Sequence, residues 1–153
     1  MPNTKRPLPF ANGLLRVNLP WALLLGTAFI VRTAYDWLSP TRDFAVRSST
    51  STAIGVGILV SAGVVSGWRS RSVSSGTLAG VMTALAAAIL SIAGVALLLA
   101  FRHDQSIMMA IRDSGGLGEA FTLPLLLLVP GAILGTAGGL CGRAARTLAR
   151  SAT

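Results

Sequence analysis

The longest unbroken apolar run lies at Gly76 to Phe101, GTLAGVMTALAAAILSIAGVALLLAF, without a charge or a proline. At 1.5 Å of rise per residue, such a helix crosses a bilayer core of about 30 Å. Three weaker runs flank it. Residues 19–38 hold an uncharged stretch from Leu19 to Val31, with Trp21 and Trp37 placed about 24 Å apart on a helix, as two interfacial aromatic belts would be. Residues 52–68 form a short second span ending at Trp68, and residues 121–142 a fourth. Arg69 to Ser75 is too short to be more than a tight turn, so the second and third spans read as an antiparallel hairpin. The pattern predicts an all-α membrane protein, a bundle of four transmembrane helices. A short interfacial helix is expected over 104–112, between the third and fourth spans, with Ile107, Met108 and Ile111 on its apolar face.

Prolines and polar runs set the expected boundaries. Pro2, Pro7 and Pro9 argue against a helix at the start, so residues 1–18 read as a basic lead. The apolar run after Leu19 also has the length of a signal-peptide core. Without a small-x-small site directly after it, and with Arg32 nearby, it reads as a retained span. Ser39-Pro40 closes the first helix, and the Ser/Thr run over 48–52 offers caps for the second. Pro130 is expected to kink the fourth span, and residues 143–153 to form a frayed basic tail.

Small residues recur at four-residue steps, which keeps them on one helix face. Gly63 and Gly67 make one such pair; Gly76, Gly80 and Ala84 make a stripe; Gly131, Gly135 and Gly139 make another. These positions are the expected helix-packing faces, because small side chains let membrane helices approach closely. The stripe of the fourth helix is expected against that of the third, and Leu127 is expected to face lipid.

Charge then orients the bundle. The chain of 153 residues carries a net charge of +8. With four spans, Lys5, Arg6, Arg16, Arg69, Arg71, Arg143, Arg146 and Arg150 share one side with no acid. Arg32, Arg42, Arg47, Arg102 and Arg112 lie on the other, balanced by Asp36, Asp43, Asp104, Asp113 and Glu119. The positive-inside rule puts both termini in the cytoplasm. Arginine-dominated basic usage with abundant Ala and Gly suits a GC-rich genome, and a bacterial inner membrane is the expected location. The lipid bilayer is the expected partner, with a homo-oligomer or larger membrane complex beside it. Nucleic acid is not expected, since the arginines are explained by sidedness.

Candidate chemistry is sparse. Cys141 is the sole cysteine and reads as a small packing residue; His103 is the sole histidine. No catalytic, cofactor-binding or metal-binding set emerges, because a metal site usually needs three or four ligands. Arg32 and Asp36 stand four apart and can pair on one helix face, while Glu119 precedes the fourth span, where a helix N-terminus favours negative charge. These three are the candidate functional charges. The sequence therefore supports a structural or accessory membrane subunit, and not an enzyme. The alternative is a small oligomeric transporter or channel built on the Pro130 kink with Arg32, Asp36 and Glu119.

The charge split makes a prediction about topology. On a Cys141→Ser background, a Ser74→Cys variant should react with an impermeant maleimide only from the cytoplasmic side, and Ser114→Cys only from outside. The reverse pattern would overturn the orientation.

Overall fold

The computed structural model describes residues 9–38, 44–101, 109, 121–122 and 124–151, and the side chains among them from residue 16 onward outside 36–38 and 44–48. Four long helices account for nearly all of this: α1 (Pro9–Leu38), α2 (Phe44–Ser70), α3 (Val73–Phe101) and α4 (Leu128–Ser151). Each holds or belongs to a segment long and apolar enough to cross a membrane: Arg16–Tyr35, Ser49–Ser70, Val73–Phe101 and Pro124–Ser151. The expected interfacial helix over 104–112 lies outside the described residues apart from Met109, which is exposed.

Helix bounds differ from the expected ones at prolines and serines. α1 begins at Pro9, inside the lead expected to be irregular. Proline fits a first turn, because its absent N–H would be unpaired there and its φ is already helical. Pro20 lies within α1, where it withholds a bond from the Arg16 carbonyl. α2 begins at Phe44, so the Ser/Thr run expected to cap it is helical instead. Hydroxyls can bond back to carbonyls of the preceding turn, which lets Ser and Thr sit inside a helix.

In the fourth span the regular helix is interrupted at Leu127, whose N–H bonds the Pro124 carbonyl three residues back at 3.3 Å. The i→i−4 pattern resumes with Gly131 N–H to the Leu127 carbonyl at 2.8 Å. Pro130 explains the interruption: it has no N–H for the Leu126 carbonyl, and its ring crowds that group. The proline therefore acts at the start of α4 and not at its middle. Leu127 itself packs against the core cluster of Leu25, Ile58, Leu59, Ala84 and Ala87, so it does not face outward as expected. Beyond Gly142 the basic segment continues as helix to Ser151, favoured by Ala144, Ala145, Leu148 and Ala149.

The helices run up-down-up-down. Arg71 and Ser72 alone separate α2 from α3. α4 packs on both α2 and α3; α1 packs on α2 and α3 from the other side and does not meet α4 among the described residues. Along α3, side-chain size is sorted inside out, with Val95 the one large apolar residue it buries. Ala79, Ala84, Ala87 and Ala88 of α3 are fully buried, while Leu78, Leu85, Ile89 and Leu97 of the same helix are exposed.

The seam of α4 with α2 and α3 is backbone against backbone. A Cβ placed on Gly135 would stand 2.6 Å from the Gly76 carbonyl oxygen and 2.8 Å from Gly80 Cα. One on Gly76 would stand 2.6 Å from Gly139 Cα, and one on Gly67 2.7 Å from the same atom. Gly63 faces Gly135, and Gly131 faces Gly80 and Ala84. Gly138 and Gly142, one step round α4, lie against Val64 and Trp68 of α2. The α1–α3 seam is different in kind. Ile30 fills the space left by Gly94, and Leu90 the space left by Gly26.

These spacings set opposite signs for two glycine substitutions. Gly135→Ala puts its methyl against fixed backbone, so overpacking of about 1–3 kcal/mol exceeds the roughly 1 kcal/mol helix-propensity gain. At Gly57 an added methyl would meet nothing within 4 Å, so Gly57→Ala should stabilise by that propensity gain of up to about 1 kcal/mol. Thermal aggregation midpoints in detergent should fall for the first and rise for the second. Equal midpoints would show that the α4 seam is looser than the structure has it.

Candidate functional site

Chemistry-bearing side chains gather at one end of the bundle, where α1 begins, α2 ends, α3 begins and α4 ends. Up-down-up-down connectivity dictates this meeting. The α2–α3 link closes it through hydroxyls. Ser70 Oγ stands 2.6 Å from the Ser66 carbonyl oxygen, Ser75 Oγ stands 2.7 Å from that of Ser72, and the two hydroxyls lie against each other, so their two protons are shared among these three contacts. Buried Asn18 of α1 joins this group, accepting from Ser66 Oγ at 3.3 Å, and its Nδ2 has no partner among the described residues. Thr77 and Thr136 share a 2.7 Å hydrogen bond between α3 and α4. Hydroxyl and amide hydrogen bonds of this kind hold helices together where no water competes.

α2 ends in a left-handed cap. Arg71 has φ 59°, and its N–H bonds the Gly67 carbonyl at 3.0 Å, the single-bond arrangement that usually places glycine at this position. Arg146 of α4 crosses to the same terminus and donates from Nη1 to the Trp68 carbonyl and, at 3.2 Å, to that of Arg69. A cation at a helix C-terminus satisfies carbonyls that have no intrahelical partner and opposes the negative end of the dipole.

Arg71, Arg143, Arg146, Thr147 and Arg150 line a half-open cleft of about 230 Å³ above this cap. Arg143, Arg146, Thr147 and Arg150 follow i, i+3, i+4, i+7 spacing, so one face of α4 carries them all. Thr147 turns its hydroxyl proton inward to the Ala144 carbonyl at 2.7 Å. Arg150 and then Arg146 push the Arg71 guanidinium below its ordinary pKa by like-charge repulsion, with a small contribution from burial. It stays protonated at neutral pH, because an arginine begins so far above it.

The expected packing residues, Gly63, Gly67, Gly76, Gly80, Ala84, Gly131, Gly135 and Gly139, are all buried where α4 meets α2 and α3. Of the candidate charges, Arg32 is half-buried near the far end of α1, while the Asp36 side chain, Glu119 and His103 lie outside the described residues. Among the described residues no three of His, Cys, Asp and Glu stand close enough to hold a metal. Cys141 is exposed. Sequence reasoning missed the basic cleft, although RAARTLAR at 143–150 shows its spacing once the tail is taken as helix. It also missed Asn18, which no periodicity marks.

Scans against protein-family models, curated proteins and solved structures find no match to this chain.

The cap makes a prediction of its own. Arg71→Gly removes an unfavourable backbone conformation and relieves like-charge repulsion, so the thermal midpoint should rise or hold. Arg146→Ala leaves two terminal carbonyls unsatisfied and should lower it. The opposite order in a detergent melt would mean that the Arg71 side chain itself holds the hairpin together.

Proposed function

We propose that this chain is an integral membrane protein that crosses the bilayer four times, with both ends in the cytoplasm, and serves as a structural or accessory subunit. The observation that carries this reading is the inverted distribution of side-chain size along α3. In water, a helix that exposes Leu78, Leu85, Ile89 and Leu97 while burying Ala79, Ala84, Ala87 and Ala88 would forfeit much of the hydrophobic effect. In hydrocarbon, outward leucines cost nothing, and close backbone packing supplies dispersion contacts instead. Sidedness follows from Arg16, Arg69, Arg71, Arg143, Arg146 and Arg150 at the end where α1 begins, against acids whose segments leave from the opposite end. An interfacial helix over 104–112 completes the outer face.

The accessory role is favoured because the glycines of α4 are used in internal contacts. A permeation path along that face would need them to line open space. The bundle thus offers a rigid, chemically quiet body whose outer leucine surface meets lipid, another copy or a larger complex. The alternative is a small oligomeric transporter or channel that uses the interruption at Leu127, caused by Pro130, with Arg32, Asp36 and Glu119 as its charges.

Reconstitution separates the two. Liposomes carrying the purified protein should show no ion conductance or proton flux above empty liposomes. Flux that is lost in Arg32→Ala or Glu119→Gln would overturn the accessory reading in favour of the transporter.

A further inference from the structure

The basic cleft holds more than sidedness can explain, and its interpretation rests on the cytoplasmic, membrane-surface placement proposed above. Sidedness requires positive charge on one flank of the bilayer. It does not require four guanidinium groups from two separate elements to converge on one cleft. Like charges repel, so an anion entering the cleft would relieve that repulsion. Arg146 has a structural duty at the α2 terminus. Arg71, Arg143 and Arg150 are exposed around the cleft, and no carboxylate lines it among the described residues.

Arg71 is the telling residue. It stands at a left-handed cap position where glycine is the easier choice, in a chain that uses 17 glycines. Non-glycine residues held in such backbone regions concentrate at functional sites. Here the conformation sets the side chain of the α2–α3 link beside the arginine face of α4.

We propose that this cleft binds a phosphate-bearing anion, and that the anion is the headgroup of an anionic phospholipid. Guanidinium forks match phosphate oxygens in pairs, which favours phosphate over a single-point anion. The volume of about 230 Å³ falls below the roughly 300–1,000 Å³ of sites for drug-sized ligands and suits one headgroup. Depth selects the lipid source. Trp68, exposed at the end of α2, is an aromatic of the kind that marks the headgroup level, and the cleft begins directly beyond it. Basic pockets between helices on the cytoplasmic side are suited to such headgroups.

The test uses the full chain, purified and delipidated in a non-ionic detergent, with the thermal aggregation midpoint as readout. Phosphatidylglycerol mixed micelles should raise the midpoint saturably, and phosphatidylcholine micelles should not. The variant carrying Arg71→Gly, Arg143→Gln and Arg150→Gln leaves the Arg146 cap intact. It should need at least about tenfold more phosphatidylglycerol for the same rise, as each arginine near an anionic surface contributes measurably. Arg16→Gln, a basic change outside the cleft, should respond as the wild type does. An unchanged phosphatidylglycerol response in the triple variant, or no response in the wild type, would overturn the site. Inorganic phosphate matching the lipid at equal phosphorus would overturn the lipid source. Carbonate-washed membranes keep the two readings apart. Protein that washes off refutes the membrane bundle, whereas protein that stays but ignores phosphatidylglycerol refutes only the cleft.

Discussion

Contact between bare backbones, where α4 lies in the groove of α2 and α3, is the interaction on which the rest of this structure depends. Gly63 and Gly67 on α2, Gly76 and Gly80 on α3, and Gly131, Gly135 and Gly139 on α4 bring three main chains to a separation that a single methyl group would disturb. Dispersion falls steeply with distance, so the gain exists only while all these positions stay bare. The seam fixes the register of three helices at once. It thereby decides which side chains meet at the two ends of the bundle.

The end holding the α2–α3 link shows the result. Because α4 is held in register by its glycines, Arg146 arrives opposite the terminal carbonyls of α2, and Thr136 opposite Thr77. The serines of the link then form a compact hydrogen-bonded closure, and Asn18 reaches it from α1. Most of the buried polar groups are thus gathered near one end, where they bond one another. Two polar atoms have no partner among the described residues: Asn18 Nδ2 at this end, and the hydroxyl of Thr83, buried in mid-helix.

Much of this is legible in the sequence because periodicity is a physical signal. An uncharged run such as 76–101 has one economical solution, and small residues at four-residue steps must share a face. Boundaries are less legible. Pro9 has the composition of a breaker although a first turn tolerates it, and the Ser/Thr run over 48–52 has that of a cap although it lies inside α2. Pro130 marks a disturbance in the fourth span, but its effect falls on the preceding carbonyls, so the interruption stands at Leu127. The basic cleft is hidden for a different reason. It joins Arg71 to residues more than seventy positions away, and local pattern carries no trace of such a meeting. Arg32, Asp36 and Glu119, by contrast, stand out in the sequence through their apolar surroundings, which says nothing about whether they converge.

The groove that receives α4 also constrains the order of assembly. During synthesis α2 and α3 are complete before α4 exists, yet their facing glycines make much of their close contact with α4. The hairpin emerging from the ribosome therefore carries an unfilled slot of exposed backbone until residues 128–151 are made. α1 cannot fill that slot, since it packs on the opposite side of the hairpin, where its Ile30 interlocks with α3 and Leu90 of α3 interlocks with it. α4 is thus the keystone, and without it α1, α2 and α3 would leave their most adhesive surface open to any other helix that reached it.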